Sequence, residues 1–255
     1  MAQMGGRLGH AELLAAAYVG RDPASYAEAM RSTNADSWEE VCQYEIDALN
    51  KNKTWELVDL PTGCKAVKSK WVFKHKVDGH YRARLVAKGF MQIPGLDYNE
   101  TFLPIPRFES LRLLLVLAVL EDWEVHQLDI KSAFINGVLD EEIYMEQPQG
   151  FISTGKETQV CRLKKAIYSL KQASHAWNSN IHAALTELGF KWTVANAGIY
   201  VMHQQEGDGP LYVILYIDDI TILGASLEAV KELKVNLAQR YEISDLGEIQ
   251  SYLGI

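Results

Sequence analysis

An apolar, β-prone stretch from Val213 to Leu223 carries two adjacent acids, Asp218 and Asp219, near its middle. Adjacent carboxylates between two buried strands repel each other and lose solvation, which costs stability unless a cation or hydrogen-bond donors compensate. The stretch therefore predicts a hairpin of two buried strands, and a metal site is an economical explanation for its acidic turn. The alternative is an ordinary turn, because turns tolerate Asp readily.

A third acid lies in a similar setting at the end of another predicted strand. Asp129 closes the strand that begins at Glu124, and a predicted helix follows from about Lys131. Taken alone, Asp129 is best interpreted as the cap of that helix. Together with Asp218 and Asp219 it supplies hard oxygen ligands for two Mg²⁺ ions, the number that an in-line phosphoryl displacement uses. The three aspartates are therefore candidate catalytic residues for nucleotidyl transfer.

Charge is distributed unevenly along the chain. The 255 residues carry a net charge of −8, which argues against a simple nucleic-acid binder because a polyanion calls for a basic surface. The segment from Lys65 to Gln92 nevertheless has a net charge of +7, which leaves −15 for the remainder. This segregation suits a protein that grips phosphate in one place and holds cations in another, although a basic hairpin can also be merely solvated.

Composition and spacing exclude several other classes of protein. With 48% hydrophobic residues, the chain can bury a substantial core. Its longest apolar tract, Leu113 to Leu120, is far shorter than the roughly 20 residues of a spanning helix, and the N-terminus has no signal pattern. Cys42, Cys64 and Cys161 lie far apart, so neither a zinc ribbon nor a disulfide framework is indicated. We expect an intracellular protein with no membrane partner.

The predicted helices and strands do not alternate regularly, which favours an α+β fold. Ser37 to Glu40 is typical of a capping box and predicts an amphipathic helix that continues to Asn50. Strands are predicted at 54–60, 70–77, 81–88, 124–129, 143–145, 198–202 and 211–223, with a buried helix at 110–121 and mostly helix over 164–188. Asp78-Gly79 predicts a hairpin. We expect residues 1–36 to be a poorly ordered lead-in with one short helix near 11–18.

Several motifs resemble those of copia-type reverse transcriptases, the polymerases of LTR retrotransposons. Tyr216-Ile217-Asp218-Asp219 resembles the YxDD box, and the segment from Gln127 to Phe134 resembles the first aspartate motif. Further stretches that resemble the family, in family order, are Thr54–Val58, Lys70–Lys74, Ala83–Phe90, Asp97–Phe102, Ile143–Pro148, Leu170–Gln172 with Trp177, and Tyr252–Ile255. The resemblance covers the chain from about Pro23 to its last residue.

The resemblance implies a right-hand polymerase with fingers and palm, in which helices back an antiparallel palm sheet. Residues 37–255 would form this unit, with fingers at approximately 37–106 and 138–173 and palm at approximately 107–137 and 174–255. Asp129 and Asp218 would be the principal ligands of two Mg²⁺ ions, for which Mn²⁺ could substitute. The carbonyl of Ile130 would contribute, and Asp219 would complete the carboxylates. The implied substrates are dNTPs and a primed RNA or DNA template.

The resemblance also implies roles for residues outside the carboxylates. Phe134 matches the aromatic that lies under the incoming sugar, where a ring clashes with a ribose 2′-hydroxyl; without the family, a core aromatic is the preferred interpretation. Arg82 matches a triphosphate-binding arginine of the fingers hairpin, and a guanidinium suits phosphate oxygens. Gln172 matches a glutamine that lies against the nucleotide, although a helical Gln is usually solvated. Tyr216 would contact the primer end.

Lys74 and Lys76 are further candidates for binding the nucleotide. If Asp78-Gly79 is a two-residue turn, Lys76 pairs with Tyr81 and lies on the face opposite Arg82. Lys76 and Arg82 could then reach the same phosphate only after a change of register. The two lysines therefore depend on the geometry of the hairpin.

The chain departs from the family pattern in three residues and in length. Ser169, Ser174 and His175 stand where Gly, Pro and Arg are common, which removes backbone freedom at Ser169 and a permanent charge at His175. The chain also stops before the thumb and RNase H regions of the family. We therefore expect the remainder of a Pol polyprotein as a partner, in either a cytoplasmic virus-like particle or the nucleus.

Two alternatives to an active polymerase stay open. The first is a catalytically silent retrotransposon fragment that folds and at most binds nucleic acid. The second is a two-metal nuclease, which the YxDD hairpin and the candidate sugar-contacting aromatic disfavour. The intact aspartates favour chemistry, whereas the length of the chain favours inactivity of the chain in isolation.

Overall fold

Helices and antiparallel strands make up the part of the chain that the structure, a computed structural model, describes: residues 21–250 except 96, 99, 102, 194, 195, 197 and 204–208. The helices are α1 (Tyr26–Ala29), α2 (Ala35–Lys51), α3 (Phe108–Leu120), α4 (Ala173–Glu187) and α5 (Leu227–Ala238), with 3₁₀ turns at Gly89–Met91 and Ala133–Asn136. The strands are β1 (Trp55–Val58), β2 (Ser69–His75), β3 (Tyr81–Ala87), β4 (Glu124–Ile130), β5 (Val138–Met145), β6 (Val160–Lys165), β7 (Lys191–Trp192), β8 (Ile199–His203), β9 (Pro210–Tyr216), β10 (Asp219–Gly224) and β11 (Ile243–Glu248). The predicted mixture of helices with antiparallel strands is confirmed.

The largest sheet has six strands in the order β11-β4-β10-β9-β8-β7, and each neighbouring pair is antiparallel. β9 and β10 form the predicted hairpin, with Tyr216 paired to Asp219 across a tight turn. On its other side β10 pairs with β4, which lies far away in the sequence. This non-local pairing brings the end of β4 to the turn of the β9–β10 hairpin.

Helices cover both faces of the six-stranded sheet. On one face, α4 and α5 pack over a core that includes Leu128, Ile220 and Ile222. On the other face, α3 packs over Ile214 and Leu223. Burial on both faces explains why β9 and β10 are nearly continuous apolar runs instead of alternating ones.

Helix α3 is only half buried, which corrects the prediction of a buried helix at 110–121. Leu111, Leu114 and Ala118 face the sheet, because a helix in an outer layer buries one side. The apolar residues Leu113, Val116, Val119 and Leu120 are exposed on its other side. None of the helices in the described part of the chain combines the length and the apolar character needed to cross a bilayer.

The remaining two sheets, β1-β6-β5 and the β2–β3 hairpin, share a second core with α1 and α2. The apolar stripe of α2, which includes Trp38 and Cys42, packs against Phe73 of β2 and Leu85 of β3. Trp38 meets Phe73 edge to face, with ring centroids 5.2 Å apart. The predicted amphipathic helix is thus confirmed, and its apolar face holds the basic hairpin in place.

Several predicted boundaries are wrong. α2 begins at Ala35 with Asn34 as its N-cap, so Ser37 lies inside the first turn and is not a cap. An acid in the first turn, Asp36, favours this earlier start through the helix dipole. The helix predicted from about residue 131 is only a 3₁₀ turn, and helix within 164–188 begins at Ala173 because β6 and turns occupy the segment before it.

The prediction of a poorly ordered lead-in does not hold for its described part. Ala29 in α1 is fully buried, and Tyr26 contacts Trp71 and Phe151 with centroid separations of 6.3 Å and 6.1 Å. Aromatic packing therefore attaches this segment to the second core. The helix predicted near 11–18 and the motif at 252–255 lie outside the described residues.

The β2–β3 hairpin has a three-residue loop, Val77-Asp78-Gly79, instead of the two-residue turn considered above. Lys74 pairs with Arg82, and the amide of Lys76 donates to the carbonyl of His80 (2.9 Å). Gly79 adopts a left-handed conformation (φ 85°), as the last residue of such a loop requires. The change of register by one residue puts Lys74, Lys76 and Arg82 on the same face of the hairpin.

Candidate carboxylate site

Three aspartates, called the carboxylate site below, meet where β4 ends beside the β9–β10 turn. Asp129 lies directly opposite Asp219 in the β4–β10 ladder, so their side chains share one face of the sheet. Asp218 lies in the turn, and its carbonyl accepts a hydrogen bond from the amide of Ile130 (3.1 Å). One strand pairing thus brings together residues that lie about ninety positions apart in the sequence.

The turn that carries Asp218 has an unusual backbone. Ile217 has φ 59°, a left-handed conformation that is unfavourable for a β-branched residue. The indole of the fully buried Trp177 in α4 donates to the carbonyl of Ile217 (2.7 Å). The surrounding structure therefore holds a strained turn in one position, which is a frequent property of functional sites.

The electrostatics of the site disfavour two of its negative charges. Burial, followed by the charge of Asp218, raises the pKa of Asp129. Burial also raises the pKa of Asp219, with contributions from the charges of Asp218 and Asp129 and an opposing hydrogen bond from Gln127. Such crowding is relieved by a bound cation or by a proton.

The donor set fits Mg²⁺ in chemistry, because carboxylate oxygens are its preferred protein ligands. Shared face and register bring Asp129 and Asp219 together, and Asp218 is adjacent in the chain. Among the described residues, however, no group of three or more acidic, His or Cys side chains has the arrangement of a finished ion site. The fit to a metal therefore rests on donor type, register and mutual repulsion.

A cavity of about 400 Å³ opens beside the carboxylate site. Its walls come from α2, β3, β4, the β9–β10 turn and the segments that flank β6 and β11. The lining residues that bear on the chemistry are Glu45, Arg82, Asp129, Lys131, Tyr168 and Asp218. Two of the aspartates and a guanidinium therefore face one space, which suits a ligand with both a metal-binding and an anionic part.

Of the predicted nucleotide-binding residues, Arg82 lines this cavity and the two lysines do not. The ammonium of Lys74 donates to the carboxylate of Asp22 (3.0 Å), which also accepts the amide of His75 (2.6 Å). Burial opposes ionisation of Asp22, but these two bonds outweigh it and lower its pKa. Lys76 lies at the loop end of the hairpin, on the same face as Arg82.

Gln172 lies in a buried hydrogen-bond network, not on the surface of a helix. It is 2% exposed, and its amide group donates to the carbonyl of Asp97 (3.0 Å) and to the carboxylate of Glu141 (3.4 Å). Its side-chain oxygen accepts from Gln92 (3.1 Å). Both polar ends of Gln172 are occupied by protein, so the idea of a solvated helical Gln is wrong.

Phe134 and Tyr216 do not line the cavity. Phe134 is half-buried between the two cores, and its ring meets that of Tyr168 edge to face at 5.1 Å. Tyr216 is half-buried and directly opposite Asp219 in the hairpin. Phe134 thus contacts Tyr168, which itself lines the cavity together with Arg82.

Three residues near the site were missed in the sequence. The guanidinium of Arg84 lies over the ring of Tyr168, 4.7 Å from its centroid. The buried carboxylate of Glu45 accepts the amide of Leu85 (3.1 Å) and lines the cavity. Glu45 had a signal, because it is an acid on the apolar stripe of α2. Arg84 also had a signal, because it lies in the basic segment two residues from Arg82. Tyr168 had none, since only the tertiary structure brings it beneath Arg84.

Comparison with known proteins agrees with the motifs. A sequence model described as reverse transcriptase (RNA-dependent DNA polymerase) matches residues 52–255. The chain is 39% identical to a retrovirus-related Pol polyprotein from transposon TNT 1-94 of Nicotiana tabacum, over 92% of this chain and 18% of that protein. It is 38% identical to a retrovirus-related Pol polyprotein from transposon RE2 of Arabidopsis thaliana, over 92% of this chain and 16% of that protein. The chain therefore spans less than a fifth of the length of these relatives, and the resemblance inferred from its motifs is confirmed.

Proposed function

Because the chain belongs to the reverse transcriptase (RNA-dependent DNA polymerase) family, we propose that it is the fingers-and-palm core of a polymerase that adds dNTPs to a primed RNA or DNA template. The observation that carries the proposal is the pairing of Asp129 with Asp219 beside Asp218 in the turn. In the proposed arrangement, the six-stranded sheet with α3, α4 and α5 is the palm. The β2–β3 hairpin, the β1-β6-β5 sheet and α2 are the fingers.

Asp129, Asp218 and Asp219 would hold Mg²⁺, with the Ile130 carbonyl as a further ligand. When bound, two such ions would activate the attacking 3′-oxygen and stabilise the leaving pyrophosphate. The raised pKa values of Asp129 and Asp219 support this role, because carboxylates crowded in this way gain stability from a cation.

Arg82 would bind the triphosphate, since its guanidinium faces the same cavity as Asp129 and Asp218. Lys76 is a stronger candidate for binding the triphosphate than a two-residue turn would make it, because the observed register puts it on the same face as Arg82. Lys74 would reach a phosphate only by exchanging its bond with Asp22. Gln172 keeps a direct role only if the nucleotide displaces one of its three protein partners.

Phe134 would contact the sugar and exclude a ribose 2′-hydroxyl, and Tyr216 would contact the primer end. The half-buried position of Phe134 supports this role, because its ring packs against both cores and part of it is still accessible to a ligand. Other parts of a Pol polyprotein are the proposed protein partners, as the names of the relatives suggest.

Primer extension tests the proposal. The chain, alone and fused to the downstream segment of a relative, is incubated with Mg²⁺, dTTP and end-labelled oligo(dT) on poly(rA). We expect the labelled strand to lengthen in at least one of the two forms and not with Asp218→Asn. A labelled strand that shortens would indicate a nuclease, and binding of the template without extension in either form would indicate a silent fragment.

A further inference from the structure

Tyr168 connects the basic strand β3 to the proposed sugar-contacting residue. One side of its ring lies under the guanidinium of Arg84, 4.7 Å from the centroid. The ring also meets Phe134 at 5.1 Å with an interplanar angle of 83°, a favourable edge-to-face geometry. Tyr168 itself lines the cavity that Asp129 and Asp218 share. It is therefore the aromatic link between the cavity and Phe134.

The backbone of Tyr168 is held as firmly as its ring. Its carbonyl accepts the amide of Ala87 at the end of β3 (2.9 Å). The next residue, Ser169, has φ 68°, a left-handed conformation that a non-glycine residue adopts at a cost. The Ser169 carbonyl lies so close to Gly89 that a Cβ there would be 2.0 Å away, so the two segments are in tight contact. Tyr168 thus has little freedom to shift.

We propose that Tyr168 is a positioning residue that sets sugar discrimination by holding the Phe134 ring in place. The inference rests on the function proposed above. Phe134 is only half-buried, so the orientation of its ring depends on the neighbours that it does contact. The edge-to-face contact with Tyr168 restricts how that ring can turn. Because the ring and not the hydroxyl makes the contact, phenylalanine should replace Tyr168 and an aliphatic residue should not.

The test compares kcat/KM for dGTP and GTP on one C-template with a DNA primer, in the form of the protein that extends primers. We expect Tyr168→Leu to lower the dGTP preference by about 2- to 10-fold, which corresponds to the loss of one edge-to-face aromatic contact. Tyr168→Phe should keep the wild-type preference. Phe134→Ala should relax it at least as far, and adding Tyr168→Leu to Phe134→Ala should relax it no further, because both changes act through the same ring.

Tyr200→Leu is the matched control. Tyr200 is a buried tyrosine in the core of the six-stranded sheet, and its ring contact is with His182 instead of Phe134. This variant should melt at a lower temperature and keep the wild-type dGTP preference. If Tyr168→Leu does not fold, Tyr168→Met is used, because Met refills an irregular space without an aromatic edge.

The outcomes separate the two proposals. An unchanged dGTP preference in a folded, active Tyr168→Leu or Tyr168→Met variant overturns the positioning role and leaves the polymerase intact. Equal relaxation in Tyr168→Phe also overturns it, because the ring would then not be the relevant feature. Absence of extension by the wild-type chain in both forms overturns the proposed function and this inference together.

Discussion

Strand β4 carries charged groups at both of its ends, in opposite arrangements. Near its beginning, the ammonium of Lys234 donates to both carboxylate oxygens of Asp245 (2.8 and 2.9 Å) and to Nδ1 of His126 (2.9 Å). The other ring nitrogen of His126 lies 3.2 Å from the carboxylate of Glu124. At the far end, Asp129 faces Asp219 with Asp218 beside them.

The pKa values of the two ends shift in opposite directions. Burial alone would raise the pKa of Asp245, but its bonds with Lys234 and the amide of Gly247 lower it. For Asp129 and Asp219, burial and the neighbouring carboxylates act in the same sense and raise the pKa. The two ends differ in the partner of the carboxylate. Asp245 has a cation within bonding distance. For Asp129, nearby basic side chains lower the pKa by less than burial and the charge of Asp218 raise it.

The contrast distinguishes the Lys234 charge network, which stabilises the fold, from the carboxylate site, whose charges are suited to binding a cation. The Lys234 network joins α5, β4 and β11 and satisfies its own charges. The carboxylate site lies on the same strand and instead retains negative charge that a cation can neutralise. An arrangement that costs stability in the free protein and is relieved by ligand is common in functional sites.

The largest effect is expected from removing one carboxylate of the site. Asp218→Asn should lower primer extension by at least about 10²- to 10³-fold, the scale of losing one strong electrostatic stabiliser of a transition state. The fold should be unchanged or slightly more stable, because repulsion on Asp129 and Asp219 decreases. Single-turnover extension and thermal melting measure the two quantities.

Asp245→Asn is the control in the Lys234 network. It removes an acid from β11, which also pairs with β4, so it should lower the melting temperature and leave extension within a few-fold of wild type. Retained extension in Asp218→Asn, or an equal loss in both variants, contradicts the contrast between the two ends.

Breaking the charge network should cost stability without affecting the carboxylate site. Lys234→Met leaves Asp245 without its cation and removes the donor to His126. We expect the free energy of unfolding to fall by about 1 to 2 kcal/mol, less than for a fully buried pair because the side chain of Asp245 is half exposed. Urea unfolding measures the change. A variant as stable as wild type would show that the network contributes nothing.

Mg²⁺ should stabilise the folded protein by binding at the carboxylate site and not at the Lys234 network. At free Mg²⁺ ten times the dissociation constant, linkage predicts about 1.4 kcal/mol, or a rise in melting temperature of about 3 to 6 °C for a domain of this size. The rise should persist in Lys234→Met and decrease strongly in Asp218→Asn. A rise of equal size in Asp218→Asn would place the cation elsewhere.

In the metal-free protein, the carboxylate site and Asp245 should contribute to stability with opposite dependence on pH. Raised pKa values mean that Asp129 and Asp219 bind more protons in the folded state, so their contribution to stability falls as the pH rises above about 4. The lowered pKa of Asp245 means that its contribution is present above about pH 4 and is lost as the pH falls below it.

At pH 7 in EDTA, Asp218→Asn should therefore gain, and Asp245→Asn lose, less than about 1 kcal/mol relative to wild type. Both differences should shrink toward pH 4. Urea unfolding at intervals between pH 4 and pH 8 measures them, and differences of the same sign at pH 7 would refute the assignment of opposite roles.

Local sequence patterns correctly predicted the elements that interactions between neighbouring residues determine. The acidic turn follows from two acids inside an apolar run, the helix α2 from the spacing of its apolar face, and the basic hairpin from lysines that alternate with aromatics. The predicted register of that hairpin was wrong by one residue. A three-residue loop Val77-Asp78-Gly79 and a two-residue turn Asp78-Gly79 use the same glycine, and they differ only in which residue pair closes the hairpin.

The sequence by itself determined which residues could form a carboxylate site, a basic strand and a buried hairpin, because side-chain chemistry and periodicity are properties of neighbouring residues. Only the tertiary structure decided that Asp129 faces Asp219, that Gln172 is buried among Gln92, Asp97 and Glu141, and that Tyr168 touches Phe134. These contacts join segments far apart in the chain. Their formation depends on which strands pair and which cores close, and no local pattern records that choice.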